Sequence, residues 1–239
     1  MLRNLTLAGL ASEDLAALGP HLSARRVVRG DVLTKQGDKV ETIHFPTTAL
    51  VANTVTFSDG SSVETFVMGV EGVTGLAPVL ADGPCPWAVE VKAEGEVFQI
   101  EAAILRQRFD VSASLRAQLL RLSSDYQAQA AFGVGCAALH NTRGRLAKFI
   151  LLNGDRAETG RLRLTQQDLA DYLGVQRTTV NEASQDLRNA GAIRHRRGVV
   201  EITDRTVLKA MACECYKLHR SLVEPLWTDS ASTPSIPGA

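Results

Sequence analysis

Three arginines, Arg194, Arg196 and Arg197, crowd together near the C-terminal end of this 239-residue chain, and Arg177 stands a short way before them. A guanidinium carries a planar fork of donors that suits phosphate oxygens or, two bonds at a time, the O6 and N7 of guanine. The surrounding residues say which use is meant. Thr165 with Asp168 three places on is close to a capping box, and Leu164 and Leu169 take the N′ and N4 positions of a hydrophobic staple. A short helix is therefore predicted from Gln166, holding Leu169, Ala170 and Leu173 and ending at Gly174-Val175. A second follows over Arg177 to Asn189, with Val180, Ala183 and Leu187 inward. Ala170 is small where the helices cross, Gly174 permits a positive φ, and Val180 fills the angle between them, which is the spacing of a helix-turn-helix. Gly191 stops the second helix, and Ile193 to Ile202 reads as a basic-tipped β-hairpin, the wing of a winged helix. Arg177, Thr178, Asn181 and Glu182 then project from the N-terminal half of the second helix toward a major groove. Thr165, Gln166, Thr179 and the wing arginines Arg194, Arg196 and Arg197 complete the DNA-binding set, with the phosphates held by groups such as Thr165, Thr179 and the arginines.

The rest of the chain must position those groups. Its formal net charge is zero, but residues 1–112 carry 9 basic and 14 acidic side chains whereas 143–197 carry 11 and 6, so the C-terminal half attracts a polyanion. An apolar fraction of 45 % and a charged fraction of 22 % exclude a mainly disordered or fibrous chain. No apolar run reaches the length of a membrane span, and the opening lacks a cleavable leader, so no membrane partner and a cytoplasmic location are expected. Four cysteines, Cys85, Cys136, Cys213 and Cys215, are too few and too unevenly placed for a disulfide framework.

From Arg25 to Ile100, short β-branched runs separated by glycines (Thr42 to Phe45, Leu50 to Phe57, Ser62 to Val70, Trp87 to Val91, Glu96 to Ile100) predict a small antiparallel sandwich or jelly-roll barrel, with a hairpin at Asp59-Gly60. Ser12 is expected to cap a short helix before it. A long helix begins near Ser112, and Leu115, Leu119, Leu122, Tyr126, Gln129, Gly133 and Cys136 recur at alternating steps of four and three, the seam of a two-stranded coiled coil and so of a homodimer; the alternative is a helix lying on its own sandwich. A further helix starts at Asn141 or Thr142 and stops at Asn153-Gly154, after a hinge at 137–141. The expected fold class is α+β: a sensor barrel over 1–111, a dimerisation helix over 112–138, a winged helix-turn-helix over 139–220 and a tail over 221–239.

The chain resembles the Crp/Fnr family of bacterial regulators over nearly its whole length. The resemblance rests on Gly30-Asp31-Val32-Leu33 and His44-Phe45-Pro46, on Glu71-Gly72-Val73-Thr74-Gly75-Leu76, on Arg145-Leu146-Ala147-Lys148-Phe149 and, most specifically, on Leu164 to Ala170 with Arg177-Thr178-Thr179-Val180. It implies a cupin-like (double-stranded β-helix) effector domain, a long dimer helix and a winged helix that binds a two-fold operator in double-stranded DNA, with RNA polymerase as a partner. Thr178 and Glu182 depart from the family's usual glutamate and arginine and should alter the half-site. Cys213-Glu214-Cys215-Tyr216 resembles the ending of a subgroup in this family.

Glu71, Gly72, Gly75 and Trp87 are the effector-pocket candidates implied by the resemblance. Members that bind a cyclic nucleotide hold its phosphate with an arginine, and no arginine occurs between Arg29 and Arg106, so cyclic AMP is not the expected effector and the cofactor stays unnamed. The N-terminal cysteine group of the iron-sulfur members is absent, and no metal site is expected. Cys85, or Cys213 with Cys215, offers a haem thiolate or redox-sensitive thiol, and Cys136 packs in the dimer seam. A cupin-type metal enzyme lacks a cluster of His and carboxylate ligands, His21 and His44 being the only barrel histidines, and a bare dimerisation module leaves the arginines unexplained.

Overall fold

A computed structural model of the chain describes residues 3–156, 161–196 and 198–229, with the side chains of 223–229 left out. In chain order the elements are α1 (Leu5–Ala8), α2 (Ser12–Leu18), β1 (Ser23–Val27), β2 (Val32–Thr34), β3 (Thr42–Pro46), β4 (Leu50–Thr56), β5 (Ser62–Met68), α3 (Leu76–Ala81), β6 (Ala88–Ala93), β7 (Gly95–Glu101), α4 (Ala102–Val111), α5 (Ala113–Leu139), α6 (Thr142–Arg156), β8 (Arg161–Arg163), α7 (Gln166–Leu173), α8 (Arg177–Asn189), β9 (Ile193–Arg196), β10 (Val199–Ile202), α9 (Arg205–Met211) and α10 (Cys215–Asp229). They form two compact units: Met1–Val51 with Met68–Tyr126 and the residues from Arg220, and Ala52–Val67 with Gln127–His219.

The first unit is built on an antiparallel sheet of order β1-β7-β3, in which Ile43 faces Ile100 and Pro46 faces Val97; β2 pairs antiparallel with β6. Val27, Ile43, Phe45, Val97 and Ile100 are buried, which is what alternating β-branched strands produce when one face meets a core. Asn4 is sealed at the entrance, its amide donating to the carbonyls of Pro46 and Gly72 at 2.9 Å each. Ser12 is the first residue of α2 rather than its cap, which is Ala11.

The β4–β5 hairpin closes where expected, with the N–H of Ser61 donating to Asp59 Oδ1 and Gly60 at φ +81°. In the second unit Ala52 and Val67 are buried in the apolar cluster of Leu146, Ile150, Leu169, Val180 and Leu187.

The long helix requires the largest correction. Ser112 ends α4 and caps α5, its Oγ accepting from the Leu115 N–H at 3.2 Å. Leu115, Leu119 and Leu122, expected in an intermolecular seam, are 0 %, 1 % and 4 % exposed within the single chain, and Gln129 and Cys136 are buried too. The flanking polar groups face the same way: Ser114 bonds to Asp14, Gln118 donates to the Thr6 carbonyl, and Tyr126 donates to the Val73 carbonyl while accepting from the Val73 N–H. The periodicity was that of a helix lying on its own domain. Among the residues that α5 leaves exposed, Ala113, Ala117, Leu120, Ser124, Gln127, Ala131, Val134 and Ala138 recur again at steps of four and three. Of the expected seam residues, Gly133 alone is exposed.

Asn141 caps α6, its Oδ1 accepting from the Gly144 N–H at 2.9 Å. The helix does not stop at Gly154. A Cβ there would stand 2.6 Å from Ile202 Cδ1, so this glycine serves the close approach of β10 and not a left-handed cap. At the C-terminus α10 runs to Asp229 where a tail was expected from 221, and the expected frayed end from 230 onward lies outside the described residues.

Candidate nucleic-acid interface

The helix-turn-helix is set by capping and by burial of one face of each helix. Thr165 caps α7 in a full capping box: its Oγ1 accepts from the Asp168 N–H at 3.1 Å, and its own N–H donates to Asp168 Oδ2 at 2.6 Å. Gly174, at φ +63°, turns the chain, and Arg145 donates to the Leu173 carbonyl at 2.7 Å, closing the end of α7. Leu169, Ala170 and Leu173 on α7 and Val180, Ala183 and Leu187 on α8 are buried in one cluster. This leaves Arg177, Thr178, Asn181 and Glu182 exposed along the N-terminal half of α8, with Thr179 half-buried. Among the described residues none of the four exposed side chains is hydrogen-bonded or ion-paired, whereas Gln185, Arg188 and Asn189 at the other end are bonded to one another.

The wing is a three-stranded sheet of order β8-β10-β9. Val199 lies between Arg163 and Arg196, and Glu201 between Arg161 and Arg194, so the period-two alternation of strands puts four guanidinium groups on one face. Leu162 and Val200 point the other way and are buried. Glu201 pairs with Arg161 at 3.7 Å and Arg194 at 3.5 Å, and the face keeps three more cations than anions. Arg161 and Arg163 were not anticipated: a three-residue strand carries too short an alternation to be read. Arg197 lies outside the described residues.

Gln166 is turned toward the wing, its Nε2 3.0 Å from His195 Nδ1, and so positions β9 against α7. A Cβ on Gly198 at the wing tip would stand 3.9 Å from Thr165 Cγ2, which places the tip beside the helix cap. Burial first, then the charge of Arg188, lowers the His195 pKa, so its ring adds no charge to the face near neutral pH.

In the first unit the sensor candidates are enclosed. Glu71 is buried and accepts from the Gly69 N–H at 3.3 Å. Gly72 and Gly75 are pressed against Met68 and Val40, where a Cβ would come within 2.7 Å in each case, and the indole N–H of half-buried Trp87 has no partner among the described residues. Arg106, the nearest arginine after Arg29, donates to the carbonyls of Val79 and Leu80 and ties α4 to α3. His44 is sealed in the core, Nδ1 3.4 Å from Thr74 Oγ1, and burial, with Arg25 adding to it, pushes its pKa down to about 4.

Sequence reasoning did not bring a second group of side chains together, taking Cys136 for a seam residue and Cys213 with Cys215 for a separate thiol pair. Cys136, His140, Cys213 and Cys215 converge in the second unit, their donor atoms all within 4.8 Å of one another. The four-residue spacing of Cys136 and His140 and the Cys213-x-Cys215 pair were the available signals.

Residues 144–211 match the family described as a Crp-like helix-turn-helix domain, and residues 24–112 match the cyclic nucleotide-binding domain family. No curated protein sequence matches the chain. Among solved structures it is similar to FixK2 from Bradyrhizobium japonicum (19 % identity, 80 % of this chain and 98 % of that one, TM-score 0.68). It is also similar to the c-di-GMP responsive global regulator CLP of Xanthomonas campestris (16 %, 81 % and 100 %, 0.62). A third is a regulatory protein from Silicibacter pomeroyi (20 %, 88 % and 98 %, 0.64).

Proposed function

Since the chain belongs to the Crp/Fnr family and is a DNA-binding transcription regulator with a cyclic nucleotide-binding type of sensor domain, we propose that it binds a two-fold operator as a homodimer, reading bases with α8 and holding phosphates with the wing. The observation that carries this reading is the division of polar groups on the second unit. Four side chains unpaired among the described residues line the start of α8, and four arginines share one face of the adjoining sheet. Unpaired donors at a helix start suit base edges, while a cationic sheet suits phosphates irrespective of sequence.

The dimer is formed along the exposed stripe of α5, where Ala117, Ala131 and Ala138 let two helices approach closely and Leu120 and Val134 supply apolar contact. RNA polymerase is the further partner, in the cytoplasm. The effector is not cyclic AMP: the sensor holds no arginine over residues 30–105, and Arg106 is spent on two backbone carbonyls. That a protein of the same fold, CLP, is described as c-di-GMP responsive agrees with a sensor whose ligand differs between members.

Fluorescence anisotropy with duplexes from the chain's own upstream region tests the reading. It expects one dimer per two-fold site and an affinity that falls steeply with salt; equal affinity for every duplex, or no salt dependence, contradicts it. Calorimetry with millimolar cyclic AMP should show no saturable heat, and micromolar binding would show that another donor replaces the guanidinium.

A further inference from the structure

The four convergent side chains behind the winged helix have no part in reading DNA, yet they come from two separate stretches of the sequence. Cys136 lies in the last turn of α5, His140 just past its end, Cys213 after α9, and Cys215 at the start of α10. Their spacing is that of a single tetrahedral ion. Metal–sulfur bonds of about 2.3 Å and metal–nitrogen bonds of about 2.05 Å at tetrahedral angles require sulfur–sulfur separations of about 3.8 Å and sulfur–nitrogen separations of about 3.6 Å. Cys136 Sγ and Cys213 Sγ are 3.6 Å apart, and Cys215 Sγ is 3.5 Å from His140 Nδ1. A four-iron cluster, which places each ligand on its own iron around a cage, needs a wider set of donors than one in which every pair lies within 4.8 Å.

The surroundings fit the same ion. His140 presents Nδ1 to the thiols, and its other nitrogen, Nε2, is 3.7 Å from Glu214 Oε1, the arrangement in which a carboxylate orients a ligating imidazole. Three thiolates, a neutral imidazole and a dication leave one negative charge, and the buried Lys148 ammonium, with Nζ 3.3 Å from Cys136 Sγ, offsets it. The backbone makes room: the Cys213 N–H donates to the Gly144 carbonyl at 3.2 Å, and a Cβ on Gly144 would crowd the Cys213 nitrogen at 3.3 Å. Beyond Cys215, Tyr216 donates to Asp155 at 3.1 Å, so the segment carrying two of the ligands is tied to the far end of α6.

We propose that Cys136, His140, Cys213 and Cys215 bind one Zn²⁺ ion per chain, which staples the end of α5 to the α9–α10 segment that backs the winged helix. Three sulfur ligands and one nitrogen are a closed donor set of the structural zinc type, with no position left open for a substrate. Zinc therefore stabilises the second unit, and its loss loosens the connection between α5 and the DNA-binding elements.

Metal analysis of the chain purified under reducing conditions should find one zinc per chain. Chelation followed by titration with Co²⁺ should restore the strong visible bands of tetrahedral thiolate-bound cobalt, and Zn²⁺ should displace them. Cys213→Ser should abolish the stoichiometric zinc, and Cys85→Ser should keep it. Glu214→Gln should keep the ion at saturation but bind it about 10- to 100-fold more weakly. Chelating and reloading the unaltered chain keeps the test independent of whether a cysteine variant folds. Reduced protein that takes up no metal and gives no tetrahedral cobalt bands overturns the proposal. So do several irons with inorganic sulfide per chain, or full zinc retained by Cys213→Ser.

Discussion

Helices α5 and α8 both carry apolar residues at helical spacing, yet the spacing tells the truth about α8 and misleads about α5. In α8 the apolar residues Val180, Ala183 and Leu187 are covered from nearby in the chain, because Gly174 and the short turn after α7 bring Leu169, Ala170 and Leu173 into one cluster with them and with Leu146 and Ile150 of α6. In α5 the residues Leu115, Leu119 and Leu122 had two possible covers, a second chain or the chain's own sensor, and the structure shows the second. Periodicity locates an apolar face; only the length and geometry of the connections say what lies against it. The stripe that does face outward on α5 is small and weakly apolar, as in Ala117, Ser124 and Ala131, and hydrophobicity alone would not find it.

The largest effect that sharpens this contrast compares neighbours. Leu119→Glu places a carboxylate at a site 1 % exposed and should cost the folded chain roughly 3 to 5 kcal/mol in urea unfolding at dilutions where the dimer is dissociated, whereas Leu120→Glu, 52 % exposed in the single chain, should cost less than about 0.5 kcal/mol there. Sedimentation should then find Leu120→Glu monomeric and still folded. Monomers from Leu119→Glu with unchanged stability would restore the seam that the sequence suggested.

The same question of cover applies to His44, which is sealed where α8's polar groups are open. Its pKa is lowered from 6.5 to about 4, so above pH 6.5 the folded and unfolded chains are both neutral there. As pH falls from 6.5 to 4 the unfolded chain takes up the proton first, and stability drops by up to about 3 kcal/mol. Urea unfolding across this range should show the loss, and His44→Gln should flatten it by the same amount; an equal slope in both proteins would mean that His44 is not sealed. Smaller still is the cap of α7. Thr165→Ala removes the hydroxyl of the capping box and should cost about 1 kcal/mol in unfolding. No change would show that the helix-turn-helix is held by its core alone.

Much of the second unit was legible because its signals are local: the cap at Thr165, the turn at Gly174, and the stop at Gly191 together predict α7 and α8 to the residue. What was not legible depends on tertiary closeness. Arg161 and Arg163 join the phosphate-facing set only through the pairing of β8 with β10, and Gly154 is explained only by Ile202. Cys136 looked like a small hydrophobe in a helix repeat because Cys213 is 77 residues away in sequence. In the sensor, the missing arginine could be read from the chain, but the inward turn of Glu71 could not.

Operator selection on two variants bears most directly on the claim that α8 reads bases while the wing holds phosphates. Arg177→Ala should lose about 1 to 3 kcal/mol of specific binding and relax the preference at one guanine in each half-site. Arg196→Ala should keep every base preference, weaken all duplexes alike and lower the salt slope by about one. An Arg177→Ala protein that selects the same operator at every position, or an Arg196→Ala protein that changes it, would contradict the account.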